Sequence, residues 1–192
     1  KLAHVTVSGA EKVPPKGPVI VAINHLGLLD IALGYYAINR PRATGWVADK
    51  HRKNPLYAYL VGVVNGIWLD RENVDMRALR KALAALDEGY FFGVAPEGTR
   101  SPTGAMIPGK EGVAYLALAS GAPILPAGLT GTETGTQDWL RLRRPRLTLT
   151  FGDPFHLPKL DRKRRQAQME AGIDEIMCRI AALIPPKYRG VY

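Results

Sequence analysis

The chain has 192 residues, 46% of them hydrophobic, and no low-complexity tract, which suits one domain with a proper core and excludes a disordered or fibrous protein. Lys and Arg total 26 against 17 Asp and Glu, a formal charge of +9, which favours polyanionic partners: nucleic acid, an anionic membrane surface or phosphorylated substrates. The single cysteine, Cys178, excludes an internal disulfide, so a reducing compartment is allowed.

In chain order, His4 to Ser8 alternates as a strand and residues 9–18 are turn-rich. The apolar run Val19-Ile20-Val21-Ala22-Ile23 predicts a buried strand, followed by Asn24-His25 and a helix toward Asn39, which Pro41 stops. Thr44 to Ala48 reads as a short strand, Asp49 to Lys53 as a polar, mostly basic run, and Asn54-Pro55 opens a helix through about Val63. Gly66 to Leu69 is a predicted strand. Residues 74–88 form an amphipathic helix with Met76, Leu79, Leu83 and Leu86 on its apolar face, ended by Gly89. A strand over 91–95, a helix over 111–120, a strand over 124–129, a loop over 130–138, a strand over 146–151 and a long helix over 162–184 complete the chain. On that last helix Met169, Ile173, Ile176, Ile180 and Leu183 take the apolar face, and Cys178 is expected in the core. The longest weakly polar run, Val113 to Leu129, is interrupted by Pro123 and Pro126. It reads as helix, turn and strand rather than the roughly 20-residue apolar helix that spans a bilayer. No secretory signal is visible, and the chain starts at Lys1 rather than Met, leaving room for a preceding segment such as a membrane anchor. Strand–helix alternation predicts a single α/β domain with a mostly parallel twisted sheet and helices on both faces.

Chemistry-bearing side chains gather after three predicted strands. His25 and Asp30 follow the first. On one regular helix they would lie about 140° apart, at roughly 100° per residue, so they meet only if His25 precedes the helix and Asp30 lies in its first turn. Such a pair suits proton transfer, the carboxylate fixing the imidazole tautomer; the structural alternative is a capped helix after a core strand. Asp70-Arg71 and Glu97-Gly98-Thr99-Arg100-Ser101 follow the other two. Guanidinium forks and a Gly-Thr turn suit a phosphate, whereas an Asp70–Arg71 surface pair and an ordinary turn are the plain alternatives. Lys110 is either another phosphate ligand or an exposed lysine. His4 and His51 read as surface residues and His156 as a loop packing residue; no metal-ligand spacing is present.

Together these blocks resemble a known family. Asn24-His25 with Asp30 five positions on, Gly66-Ile67-Trp68-Leu69-Asp70-Arg71, Pro96-Glu97-Gly98-Thr99-Arg100-Ser101 and Pro123-Ile124-Leu125-Pro126 are similar, in order, to the four signatures of the glycerolipid acyltransferases, most of all those acting on 1-acylglycerol-3-phosphate. Ala95 stands where many members have phenylalanine. The resemblance implies transfer of an acyl group from an acyl-CoA or acyl-carrier-protein thioester to a glycerol hydroxyl. It assigns His25 as general base and Asp30 as its orienting partner. Arg71, Glu97, Gly98, Thr99 and Arg100 would hold the acceptor's phosphate or shape its pocket, with Asn24, Lys50, Ser101 and Lys110 as further candidates. Glu97 cannot attract phosphate while ionised, so it is expected to position an arginine or a backbone turn. The lysophospholipid acceptor implies a peripheral protein on the cytoplasmic side of an anionic membrane surface, and no metal or cofactor is implied. Glycerol-3-phosphate or another lysophospholipid is the alternative acceptor. A non-catalytic lipid or nucleic-acid binder and a thioester hydrolase are the other classes, but the chain carries no nucleic-acid-binding pattern. The basic runs Arg141 to Arg146 and Arg162 to Arg165 read as solvated charge or as contacts to lipid head groups, with Trp139 and Leu140 able to dip into the interface.

Overall fold

The computed structural model describes residues 2–192 apart from Leu28, Asn39, Glu72 and Val74; the side chains of Leu56 and Leu60 are likewise not described. The described residues form a seven-stranded sheet: β1 (His4–Ser8), β2 (Val19–Ile23), β3 (Ala43–Ala48), β4 (Ile67–Leu69), β5 (Phe91–Val94), β6 (Ile124–Thr130) and β7 (Arg146–Phe151). Their order across the sheet is β1-β7-β6-β2-β5-β3-β4, and every pairing is parallel except β6 with β7. β2 lies at the centre with its first four residues buried, which is why its sequence is continuously apolar rather than alternating. The helices are α1 (Leu29–Ala37), α2 (Pro55–Val63), α3 (Met76–Asp87), α4 (Gly112–Ser120), α5 (Gly135–Leu140), α6 (Arg165–Ala182) and α7 (Pro186–Arg189). The predicted ends of the α1 and α3 segments, Asn39 and Val74, lie outside the described residues.

The connections decide where a site can form. From β2 the chain moves through α1 to β3 and then through α2 to β4, toward one edge; from β4 it turns back through α3 to β5 and through α4 to β6. Right-handed crossovers therefore place α1 and α2 on one face and α3 and α4 on the other. α6 packs on α4 and on β6 and β2, so it joins the second face. The neighbours β2 and β5 send their following helices to opposite faces, which opens a crevice at their carboxyl ends.

Two predicted packing details change. Met76 is exposed, whereas Leu86 is buried and Leu79 and Leu83 pack against the core as predicted, joined by the buried Ala78 and Ala82. Cys178 is exposed rather than in the core, because Ile173, Ile176, Met177 and Ile180 take the inward face of α6 and leave position 178 on the solvent side. The predicted loop 130–138 contains the start of α5, and α7 was not anticipated. Pro126 sits inside β6 without costing a ladder bond. Its carbonyl accepts from Gly152, and the hydrogen bonds of Ile124 with Phe155 and the β6–β7 ladder lie on either side, so its missing N–H falls at a break in the pairing.

Candidate active site

β2 ends at Ile23, and the chain enters the crevice at Asn24. Asn24 is 1% exposed, and its side-chain amide donates to the Leu129 carbonyl at 3.1 Å and accepts from the Leu129 N–H at 2.7 Å. A side chain thus continues the β2–β6 ladder one step beyond the last backbone pair, Ile23 with Ala127. That assigns Asn24 to holding the strand end; it presents no surface to a substrate, unlike the sequence-based candidate role.

His25 then lies four residues before α1 and Asp30 in its first turn. The His25 ring is partly open, 19% exposed, and Asp30 is 5% exposed. His25 Nδ1 and Asp30 Oδ2 are 2.7 Å apart. The same oxygen accepts the N–H of Leu26 at 2.8 Å and of Gly27 at 2.9 Å. A carboxylate accepts rather than donates, so this geometry suits the tautomer with the imidazole proton on Nδ1, and Nε2 has no hydrogen-bond partner among the described residues. The α1 amino end adds favourable dipole charge for Asp30. Gly27 is required for closure: a Cβ there would stand 2.4 Å from the Thr132 carbonyl oxygen, where the loop after β6 closes over the segment.

Across the crevice, the loop after β5 grips His25 by its backbone. Glu97, 1% exposed, accepts the His25 N–H at 2.8 Å through Oε1 and the Ile107 N–H at 3.0 Å through Oε2. Ser101 N–H donates to the His25 carbonyl at 2.8 Å. Glu97 therefore positions two backbone turns, one of them carrying His25. Burial pushes its carboxyl above the ordinary range, opposed by those two N–H donors and by His25. Gly98 is left-handed, φ 69°, and a Cβ there would meet the Lys110 side chain at about 3.0 Å; the glycine lets that lysine lie across the turn. The carboxyl-terminal segment braces the same region. Tyr188 donates to Glu133 at 2.6 Å and its carbonyl accepts the Met106 N–H, while the Tyr192 hydroxyl accepts the Gly109 N–H.

Cations collect at the neighbouring strand ends: Lys50 after β3, Arg71 after β4 and Arg100 after β5. Arg71 is half-buried, and its pKa is lowered first by burial and then by repulsion from Arg100, with Asp49 acting the other way. His51 is lowered by burial and then by Lys50, Arg100 and Arg71. The three cations and His51 thus share one electrostatic neighbourhood, which is the condition for anion binding. His51 stacks on Tyr57 at 4.8 Å between ring centroids and was missed as a candidate; its place in a basic run directly after β3 was the available signal. Thr99 and Arg100 are exposed, as are Lys50 and Lys110, and Ser101 is half-buried with its hydroxyl bonded to Ala105.

A histidine oriented by a carboxylate, set at the switch point beside a cation cluster, has the chemistry to take up a proton next to a bound anion. Comparisons with known proteins supply the family. The Acyltransferase family profile matches residues 4–130, and the chain belongs to that family. It is 32% identical over 156 residues to a 1-acyl-sn-glycerol-3-phosphate acyltransferase of Cocos nucifera, covering 79% of this chain and 49% of that protein. It is 27% identical over 176 residues to a Bacillus subtilis (strain 168) protein of the same name, covering 89% of this chain and 85% of that one. The chain spans about half the length of several such relatives. Among solved structures, the 1-acyl-sn-glycerophosphate (LPA) acyltransferase PlsC of Thermotoga maritima superposes with a TM-score of 0.66 at 29% identity, covering 92% of this chain and 73% of that one.

Proposed function

We propose that this chain transfers a fatty acyl group from an acyl-CoA or acyl-carrier-protein thioester to the sn-2 hydroxyl of 1-acylglycerol-3-phosphate, giving phosphatidic acid. The observation that carries the reading is the His25–Asp30 pair at 2.7 Å beside the cations Lys50, Arg71 and Arg100. The acceptor hydroxyl gives its proton to His25 Nε2 as its oxygen attacks the thioester carbonyl carbon. Asp30 stabilises the imidazolium as it forms. The tetrahedral intermediate collapses by breaking the C–S bond, and the imidazolium returns the proton to the leaving thiolate. No enzyme nucleophile is required. Arg71 and Arg100 hold the acceptor's phosphate, with Lys50, Thr99 and Lys110 at the rim, and Glu97 keeps the His25 backbone in register. Among the described residues no helix is long and apolar enough to cross a membrane, and the acceptor is taken from an anionic membrane surface on its cytoplasmic side.

The test is thiol release from an acyl-CoA and from an acyl-carrier-protein thioester with a panel of acceptors. Release should require 1-acylglycerol-3-phosphate and yield phosphatidic acid. A preference for glycerol-3-phosphate or a zwitterionic lysophospholipid would reassign the acceptor. Equal release without any acceptor would make the protein a hydrolase and refute the transfer.

A further inference from the structure

α5 ends in an unusual way. The Leu142 N–H donates to the Trp139 carbonyl at 2.9 Å and the Arg143 N–H to the Asp138 carbonyl at 2.8 Å, the paired bonds that close a helix through a left-handed residue. That residue is Leu142, φ 54°. The end of α3 makes the same pair of bonds, Gly89 to Leu86 and Tyr90 to Ala85, both 2.9 Å, and there the left-handed residue is Gly89, φ 81°. Glycine is the ordinary choice because a side chain is strained in this conformation. At α5 the strain is accepted and the leucine gains no protein contact in return: Leu142 is 96% exposed and Leu140 is 86% exposed. In water the two closing backbone bonds are what offsets the strain, and they would form equally with glycine; the exposure of the two leucines is left uncompensated.

The surroundings indicate what would compensate it. Arg141, Arg143, Arg144 and Arg146 are all exposed around the two leucines. Trp139 is partly exposed at their base, its indole N–H donating to the Leu2 carbonyl at 2.8 Å. The corner also lies at the His25 end of the sheet: Thr130, at the carboxyl end of β6, pairs with Thr148 near the start of β7, and a Cβ on Gly131 would strike the Arg146 carbonyl oxygen. Apolar side chains projecting from a ring of arginines match a bilayer surface with anionic head groups, the leucines entering the acyl boundary and the arginines staying at head-group level.

We infer that the corner between α5 and β7 is a bilayer-docking tip, with Leu140 and Leu142 inserting into an anionic membrane and Arg141, Arg143 and Arg144 pairing with its head groups. The inference rests on the reading that the acceptor resides in a bilayer, and it places the tip at the end of the sheet where that acceptor must enter.

Leu142→Gly separates docking from folding, because glycine relieves the left-handed strain. Cosedimentation of the full chain with phosphatidylcholine vesicles, with and without an anionic phospholipid, is compared with thermal melting. The variant should melt higher than the wild type yet bind anionic vesicles about tenfold more weakly, the effect expected for one inserted leucine. Charge-neutral Arg141→Gln/Arg143→Gln/Arg144→Gln should remove the preference for anionic vesicles. Turnover of a bilayer-embedded acceptor should fall in parallel, while turnover of a short-chain, water-soluble acceptor stays unchanged. Vesicle affinity of Leu142→Gly equal to wild type would overturn the inference, as would loss of acyl-carrier-protein binding with vesicle binding intact. Vesicle binding is read without turnover, so an inactive wild-type chain would refute the acyltransferase reading rather than the docking tip.

Discussion

Asp30→Asn removes one charge and little else, and the structure says how. Asp30 Oδ2 accepts from three donors: His25 Nδ1, Leu26 N–H and Gly27 N–H. An asparagine amide nitrogen cannot face three donors, so its oxygen must take the Oδ2 place and its NH2 the Oδ1 place. His25 keeps its position and tautomer. Oδ1 is already buried with no partner among the described residues, so an NH2 there adds little; the cost in stability comes from turning the charge-assisted bonds of the Leu26 and Gly27 N–H groups into neutral ones, about 1–3 kcal/mol in all, a fall in Tm of roughly 2–12 °C for a chain this size. In the transition state the imidazolium loses a charged partner and keeps a neutral one, which costs about 2–4 kcal/mol. That corresponds to about 30- to 1,000-fold in kcat, with acceptor KM little changed. Steady-state kinetics of thiol release on protein verified by circular dichroism checks both numbers. A kcat within about threefold of wild type would refute the reasoning, since Asp30 would then act only as a helix cap.

Other perturbations separate structural from binding roles. Asn24→Ala orphans the buried N–H and C=O of Leu129 and should cost about 2–4 kcal/mol of stability by denaturant unfolding, with acceptor KM unchanged in the folded fraction; a raised KM at intact stability would restore Asn24 to the site. Arg100→Ala should raise the KM for 1-acylglycerol-3-phosphate by tenfold or more through loss of a charge-assisted contact while sparing a phosphate-free acceptor, and an unchanged KM would argue against phosphate contact. His51 should titrate below its ordinary 6.5, because burial and three neighbouring cations disfavour its charged form. A bound phosphate offsets those cations, so adding glycerol-3-phosphate should move its NMR midpoint upward and proton uptake should accompany binding; a midpoint that does not respond would place the phosphate elsewhere.

Much of the fold could be read in the sequence because the strands β2 and β5 are short, apolar and followed at once by polar signals, so strand ends and candidate site residues are marked together. The five-residue spacing of His25 and Asp30 constrained the helix start, and α1 begins between them. The reversal of β7 was not legible. Strand–helix alternation suggests another parallel crossover, but α5 is six residues long and stays at the carboxyl end of the sheet instead of crossing its face, so the chain re-enters antiparallel. The role of Asn24 was also hidden, and that of Glu97 was legible only in part: a carboxylate positioning a backbone turn follows from its charge, but which turns it holds does not. Each binds backbone far away in sequence, Leu129 for one and His25 with Ile107 for the other, and such pairings follow from strand order, which local pattern does not encode. Cys178 misled because a helical stripe shifted by one position exchanges a buried side chain for an exposed one.

The central claim is that the His25 imidazole deprotonates the acceptor hydroxyl. Its most direct measurement is acceptor-dependent thiol release by His25→Ala, folded by circular dichroism and still binding glycerol-3-phosphate. Release falling to the uncatalysed background is the expected result; sustained turnover by that variant would contradict the account.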